Sequence, residues 1–275
     1  MRRTARLGFG LLTLLICSTP ALAAEMRKSP LEGAPAVRHR YEMRDKRFVI
    51  GPSFSISLNR ALRHAVLFGA RLQFHFNDYV SLGADIAYGV GFDAGLANEL
   101  EENFKKRGAE PVWTDAKKHF SDVKLAGDVR VAFTPFAGKM AIFSKLFFAY
   151  DFYLFGGFGF ALTQNEWSAG DPVDNTRYVS ADYDEANEGF KPGFAWGVGM
   201  NMYFAKFFAV GIEIKDLIFT DNESGEDLTR GVGDGEGTAT NGRPVVNKDD
   251  NELLNHFFFG INFTFLFPTM PNISD

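Results

Sequence analysis

HFFFGINFTFLF, residues 256–267, decides the fold. In an extended chain successive side chains point to opposite faces. The stretch therefore divides into Phe257, Phe259, Ile261, Phe263, Phe265 and Phe267 on one side and His256, Phe258, Gly260, Asn262, Thr264 and Leu266 on the other. One face is bulky and apolar throughout, and the other is small, polar or mixed. A water-soluble barrel turns its apolar face inward and carries charge outside. Here the bulky face suits hydrocarbon and the mixed face suits a narrow interior.

The pattern recurs upstream. In 191–204, Phe194, Trp196, Val198, Met200, Met202 and Phe204 alternate with Gly193, Ala195, Gly197, Gly199, Asn201 and Tyr203. In 147–162, Phe148, Tyr150, Phe152, Leu154, Phe158 and Phe160 alternate with Ala149, Asp151, Tyr153, Gly157, Gly159 and Ala161, and Phe155 and Gly156 invert the rule. The same reading places eight strands at roughly 47–58, 63–76, 79–92, 122–134, 147–162, 191–204, 207–220 and 253–267.

The connections sort by length. Those after the second and sixth strands are two residues each, Asn77-Asp78 and Ala205-Lys206; the one after the fourth is moderate, with a helical turn or a strand extension expected in Pro135–Leu146. Those after the third, fifth and seventh are long and polar, whereas the first, near Asn59–Leu62, is short. Bacterial outer-membrane barrels join strands by short periplasmic turns and longer extracellular loops. An even strand count puts both termini on one side, here the periplasmic one. The expected fold is all-β: an eight-stranded antiparallel transmembrane up-and-down β-barrel with long extracellular loops, surrounded by outer-membrane lipid. Beyond residue 24 no uninterrupted apolar run reaches eighteen residues, so helical spans are disfavoured. A closed barrel is the other arrangement that satisfies every backbone polar group within lipid.

The ends read differently. Arg2, Arg3 and Arg6 precede an apolar run from Leu7 to Ile16 and small residues at Ala21, Ala23 and Ala24, the layout of a cleaved export signal. Cys17 as a lipidation site is the competing reading, disfavoured because bulky Ile16 precedes it. The expected organisation is signal 1–24, an extended periplasmic lead at 25–46, barrel 47–268 and a periplasmic tail at 269–275. The Arg- and Lys-rich lead is expected as a disordered tether, with contact to peptidoglycan or a partner as the alternative. Loss of the signal's three arginines takes the formal charge from −5 to −8, which argues against nucleic acid as a partner. It also removes the sole cysteine, and with it disulfides and thiolate metal sites. His39, His64, His75, His119 and His256 show no ligand spacing, and neither HExxH nor GxSxG occurs. No cofactor is expected.

AVRHRYEMRDKRFVIGPSFSISLN (36–59) and VLFGARLQFHFNDYVSLGADIAYG (66–89) resemble the opening of an outer-membrane β-barrel domain family of delta-proteobacterial type, small OmpA/OmpX-like eight-stranded barrels. KLFFAYDFYLFGGFGFALTQ, GFAWGVGMNMYFAKFFAVGIEIKDLIF and NHFFFGINFTFLFP are similar to its middle and closing strands, so the likeness covers most of 36–268. The resemblance implies an outer-membrane location. Some members are linked to envelope-spanning motility machinery, which implies an envelope protein partner. Such barrels close on a final strand ending in an aromatic residue; here Pro268–Asp275 follow it.

Candidate site residues lie on the inward faces: Arg71, Asp85, Lys124, Asp128, Arg130, Asp151, Glu213 and Lys215, four acids and four bases. An eight-stranded interior is just wide enough for side chains to fill, so a salt-bridged plug is favoured over a gated ion or proton path. The loop 221–252 carries nine acids, three bases and the run GVGDGEG. Oxygen-rich loops bind calcium, with Asp234 and Glu236 the candidate ligands; a solvated loop is the favoured reading because EF-hand order is lacking. In 94–119, Leu96, Leu100 and Phe104 recur at helical spacing beside acids and lysines, which predicts a short amphipathic helix over the barrel mouth.

Three functions compete. The favoured one is a non-catalytic barrel that anchors or displays surface loops, as part of an envelope complex. A small porin-like channel is second, opposed by strand number. An outer-membrane enzyme acting on lipid or peptide is third, since no convincing Ser/His/Asp set falls at one rim.

Overall fold

The computed structural model describes residues 44–109, 113–114, 117–142, 146–165, 178–179, 188–225, 228, 245–246 and 250–268. The signal segment, residues 25–43 of the lead and the tail 269–275 lie outside them.

Eight strands close into one barrel: β1 (Phe48–Ser57), β2 (Arg63–His75), β3 (Val80–Asp93), β4 (Asp122–Ile142), β5 (Leu146–Gln164), β7 (Gly189–Ala205), β8 (Phe208–Asp221) and β10 (Glu252–Phe267). A helix, α1 (Gly95–Lys106), follows β3. Two short strands, β6 (Tyr178–Val179) and β9 (Val245–Val246), lie in the long loops and pair with each other in parallel. The barrel order is β1-β10-β8-β7-β5-β4-β3-β2, an antiparallel meander that ends by pairing β10 with β1 through Ser53↔Asn262 and Ser55↔Gly260. Closure removes both sheet edges, which an open sheet leaves unpaired. Among the described residues no helix is long and apolar enough to cross a membrane.

Alternation sets the register. On β10 Phe258, Gly260, Asn262, Thr264 and Leu266 are buried, and Phe259, Ile261, Phe263, Phe265 and Phe267 are exposed. The two inversions on β5 keep their phase: Phe155 is buried inside and Gly156 is exposed outside. Glycines on β7 admit this bulk. Phe155 is paired with Gly197 and Tyr153 with Gly199. A Cβ at Gly199 would lie 2.3 Å from the Tyr153 ring, so only glycine leaves room for the ring. Phe148 departs from expectation: it is buried, with its ring 5.5 Å from that of Phe204.

Residues 135–142 are a strand extension, and β4 runs through to Ile142. A bulge between Phe133 and Phe136 absorbs Pro135; at a bulge the missing N–H breaks no ladder bond. The connection after β4 is therefore shorter than the moderate turn predicted. All three connections at this turn end are short, and the three long ones lie at the opposite loop end.

Helix α1 forms where the 3.6-residue spacing indicated, with a different phase. Ala97 is buried with Trp113 and Phe120, and Leu62, Leu100 and Phe104 pack against them. Leu96 is exposed, contrary to the expected face. The buried stripe is fixed by Trp113 and Phe120, which lie outside the helix. On the exposed side Lys105 hydrogen-bonds Glu101 at 2.7 Å, and that bond together with the lysine's charge holds the Glu101 carboxyl below its usual range.

Candidate functional site: the charged barrel interior

The interior carries three tiers of polar side chains. The central one is built by register. Arg71 on β2 is the cross-strand partner of Asp85 on β3, and Asp85 is the partner of Asp128 on β4. Arg71 donates to Asp85 at 3.1 Å and to Glu213 on β8 at 2.9 Å. Arg130 donates to Glu213 at 2.8 Å and to Asp128 at 2.7 Å. Lys215 donates to Asp128 at 3.0 Å. The Tyr153 hydroxyl donates to Glu213 at 2.8 Å, and the Arg130 guanidinium carbon lies 4.0 Å from the centre of the Phe155 ring.

Six of the eight predicted residues thus meet: Arg71, Asp85, Asp128, Arg130, Glu213 and Lys215, three bases against three acids, all buried. Buried charges persist when paired and hydrogen-bonded, and this cluster meets both conditions. Two predicted members stand apart. Asp151 lies at the turn end and Lys124 at the loop end, because each strand crosses the full height of the barrel and separates residues that share a face.

At the turn end Asp151 binds Arg44, accepts from Tyr203 Oη at 2.5 Å and accepts from Asn201 Nδ2 at 2.9 Å. Arg44 is 1% exposed. Its backbone N–H donates to Asp78 Oδ1 at 2.8 Å and its guanidinium to the Asp78 carbonyl at 2.7 Å. Arg47 donates to the carbonyls of Pro268 and Lys206, at 3.0 and 2.6 Å. The end of the lead, expected as part of a disordered tether, is a strap docked into the barrel from residue 44.

At the loop end Lys124 pairs with Asp122 at 3.2 Å, beside Arg63 at 2.8 Å from the same carboxylate. Arg60, from the short loop after β1, donates to the Ser121 carbonyl at 2.6 Å and pairs with Glu223 at 3.1 Å. Ser121, Asp221 and His256 also converge here. However, Ser121 Oγ donates to Asp221 at 2.9 Å, and His256 Nε2 faces the same carboxylate at 3.4 Å. In a nucleophile triad the imidazole stands between hydroxyl and carboxylate. Here the carboxylate stands in the middle, all three residues are buried, and the imidazole faces the carboxylate instead of the hydroxyl.

Sequence reading missed Tyr153, Arg44, Arg60 and Asp221 as members of these tiers. Tyr153 carried a signal in its inward position; Arg44 and Arg60 lie outside any alternating segment and carried none. Asp234 and Glu236 lie outside the described residues. Among the described residues no group of three or more His, Cys, Asp or Glu side chains is arranged to hold a metal.

Together these features define a class: a small closed up-and-down β-barrel with a side-chain-filled, ion-paired interior and an aromatic exterior. No family model matches the chain, and no curated protein does. Solved structures similar to it include the outer membrane protein OprG of Pseudomonas aeruginosa, with TM-score 0.44, 12% identity, and coverage of 82% of this chain and 98% of that one. The N-terminal β-barrel domain of Pseudomonas aeruginosa OprF gives TM-score 0.38 and 10% identity over 81% of this chain and 98% of that one. Ail of Yersinia pestis, crystallised with the heparin analogue sucrose octasulfate, gives 0.34 and 11% over 82% and 99%.

Proposed function

We propose that the chain is an outer-membrane barrel that neither conducts nor catalyses, and that it anchors and displays the loops joined to its loop end. The observation that carries this reading is the ion-paired interior. Arg71, Asp85, Asp128, Arg130, Glu213 and Lys215 bridge β2, β3, β4 and β8 across the bore, and a solute would have to break buried pairs to pass.

Membrane insertion is supported by the outer wall. Phe48, Phe76, Tyr79, Phe136, Phe207 and Phe267 are exposed around the turn end, and Leu72, Ile86, Val131, Leu154 and Ile214 are exposed between the ends. Aromatic girdles flanking an apolar band are the mark of barrels in lipid, and in water so large an apolar surface would aggregate. Short connections at one end and long ones at the other support periplasmic termini, with the loops outside the cell. The β6–β9 pairing supports joint display of the two long loops, since Tyr178↔Val245 and Val179↔Val246 tie one to the other. The delta-proteobacterial type and an envelope partner are what the sequence resemblance over most of 36–268 implies.

The test is planar-bilayer recording on the purified, refolded protein. Absence of steady openings is the expected result. Steady, ion-selective openings would replace this reading with that of a small channel.

A further inference from the structure

We propose that the barrel wall beside the central cluster contains a binding site for one water molecule, held by the side-chain amide of Asn262 and the ammonium of Lys215. This inference rests on local geometry and stands whether or not the protein conducts.

A cavity with about 10 Å³ of room for the centre of a water molecule lies along β1, β8 and β10, lined by Ser53, Ser55, Lys215, Gly260 and Asn262 and bounded by Arg71, Asp85 and Glu213 of the central cluster. That volume is the scale of a single water. The space exists because position 260 has no side chain. At several other inward glycines the neighbouring strand already occupies the Cβ position; a Cβ at Gly157 would meet Val129 O at 2.0 Å. At Gly260 the nearest atoms are Phe54 O and Ser55 Cβ at 3.5 Å and Glu213 O at 3.8 Å, ordinary contact distances.

The lining sets the ligand's chemistry. Asn262 is 2% exposed and its Nδ2 has no protein partner, a state that costs a buried donor its solvation. Lys215 brings three protons and spends one on Asp128 at 3.0 Å. Both residues line the cavity, as do Ser53 and Ser55, whose hydroxyls can accept as well as donate. The occupant must accept and donate in a volume of one water. An apolar occupant would leave the donors unpaired. An anion would add an unpaired charge to a cluster whose three acids already balance its three bases, in surroundings where unpaired charge is costly.

The test is water–protein NMR on the folded barrel in micelles, read at the Asn262 side-chain amide. A long-lived water gives a cross-peak of the same sign as internal contacts. The expected result is that cross-peak in the wild type and its loss in Gly260→Ala, whose methyl occupies the same space without clashing. Asn262→Val, read at the Gly260 amide, supplies the same comparison if the alanine variant does not fold. Absence of the wild-type cross-peak, or its persistence in the variants, would overturn the proposal. So would Asn262 shifts that follow bromide concentration at constant ionic strength, which would identify an anion site.

Discussion

Replacing Glu213 with alanine is the sharpest perturbation of the interior. Its carboxylate accepts from Arg71 at 2.9 Å, from Arg130 at 2.8 Å and from Tyr153 at 2.8 Å. The substitution leaves two acids for three bases. Arg71 keeps Asp85, and Arg130 keeps Asp128, so neither cation is stranded completely, yet the cluster retains one uncompensated positive charge. Breaking a buried pair by removing one partner costs about 3–5 kcal/mol, and the surviving partners place Glu213→Ala toward the lower end, about 3 kcal/mol. Replacing the pair together, Arg71→Met with Glu213→Leu, restores charge balance and recovers part of the loss. The assay is a urea titration of refolding into vesicles, followed by tryptophan fluorescence. A loss below about 1 kcal/mol, the range of exposed ion pairs, would mean that water reaches the cluster, and the filled-lumen argument would fail.

Three further outcomes follow from the same geometry. Ile261→Arg puts charge on the outer face of β10 and costs about 2–4 kcal/mol near the bilayer midplane; equal refolding of variant and wild type into vesicles would contradict the register. Gly157→Val fails to fold or folds with large loss, because its Cβ would lie 2.0 Å from Val129 O, whereas Gly260→Ala folds normally in the same gel-shift assay. Arg44→Ala leaves the Asp151 carboxylate buried without its cation and lowers the urea midpoint; removal of residues 25–43 leaves it unchanged, and a drop in that truncation would place the strap's contribution upstream of Arg44.

Strand positions were legible because each strand faces two different surroundings, and the difference is written at every second residue. Phe155 and Gly156 looked like errors in that code; paired with Gly197 and Trp196 they are bulk moved inward and compensated on the next strand. The extension of β4 was obscured by Pro135, which reads as a break until the bulge at Phe133/Phe136 accommodates it. Inward position identified the six central charges but not which of the eight would meet. Height along the barrel depends on the relative register of neighbouring strands, which no single segment encodes, and so Asp151 and Lys124 fell to opposite ends. Arg44 was hidden for another reason: its partners Asp78 and Asp151 lie 34 and 107 residues away in sequence. The phase of α1 likewise depended on Trp113 and Phe120, which pack against Ala97 and leave Leu96 exposed.

Site-directed spin labelling along β10 in reconstituted vesicles tests the central claim most directly. Single cysteines at Phe259, Ile261, Phe263 and Phe265, and at Asn262 and Thr264, are labelled one at a time, and relaxation is measured with oxygen and with a water-soluble nickel chelate. A lipid-facing aromatic wall around a filled interior predicts high oxygen and low nickel access at the four odd positions, and low access to both reagents at the two even ones. High nickel access at Asn262 and Thr264 would reveal a water-filled bore, and high nickel access at the odd positions would show that this face is not in lipid; either result would contradict the account.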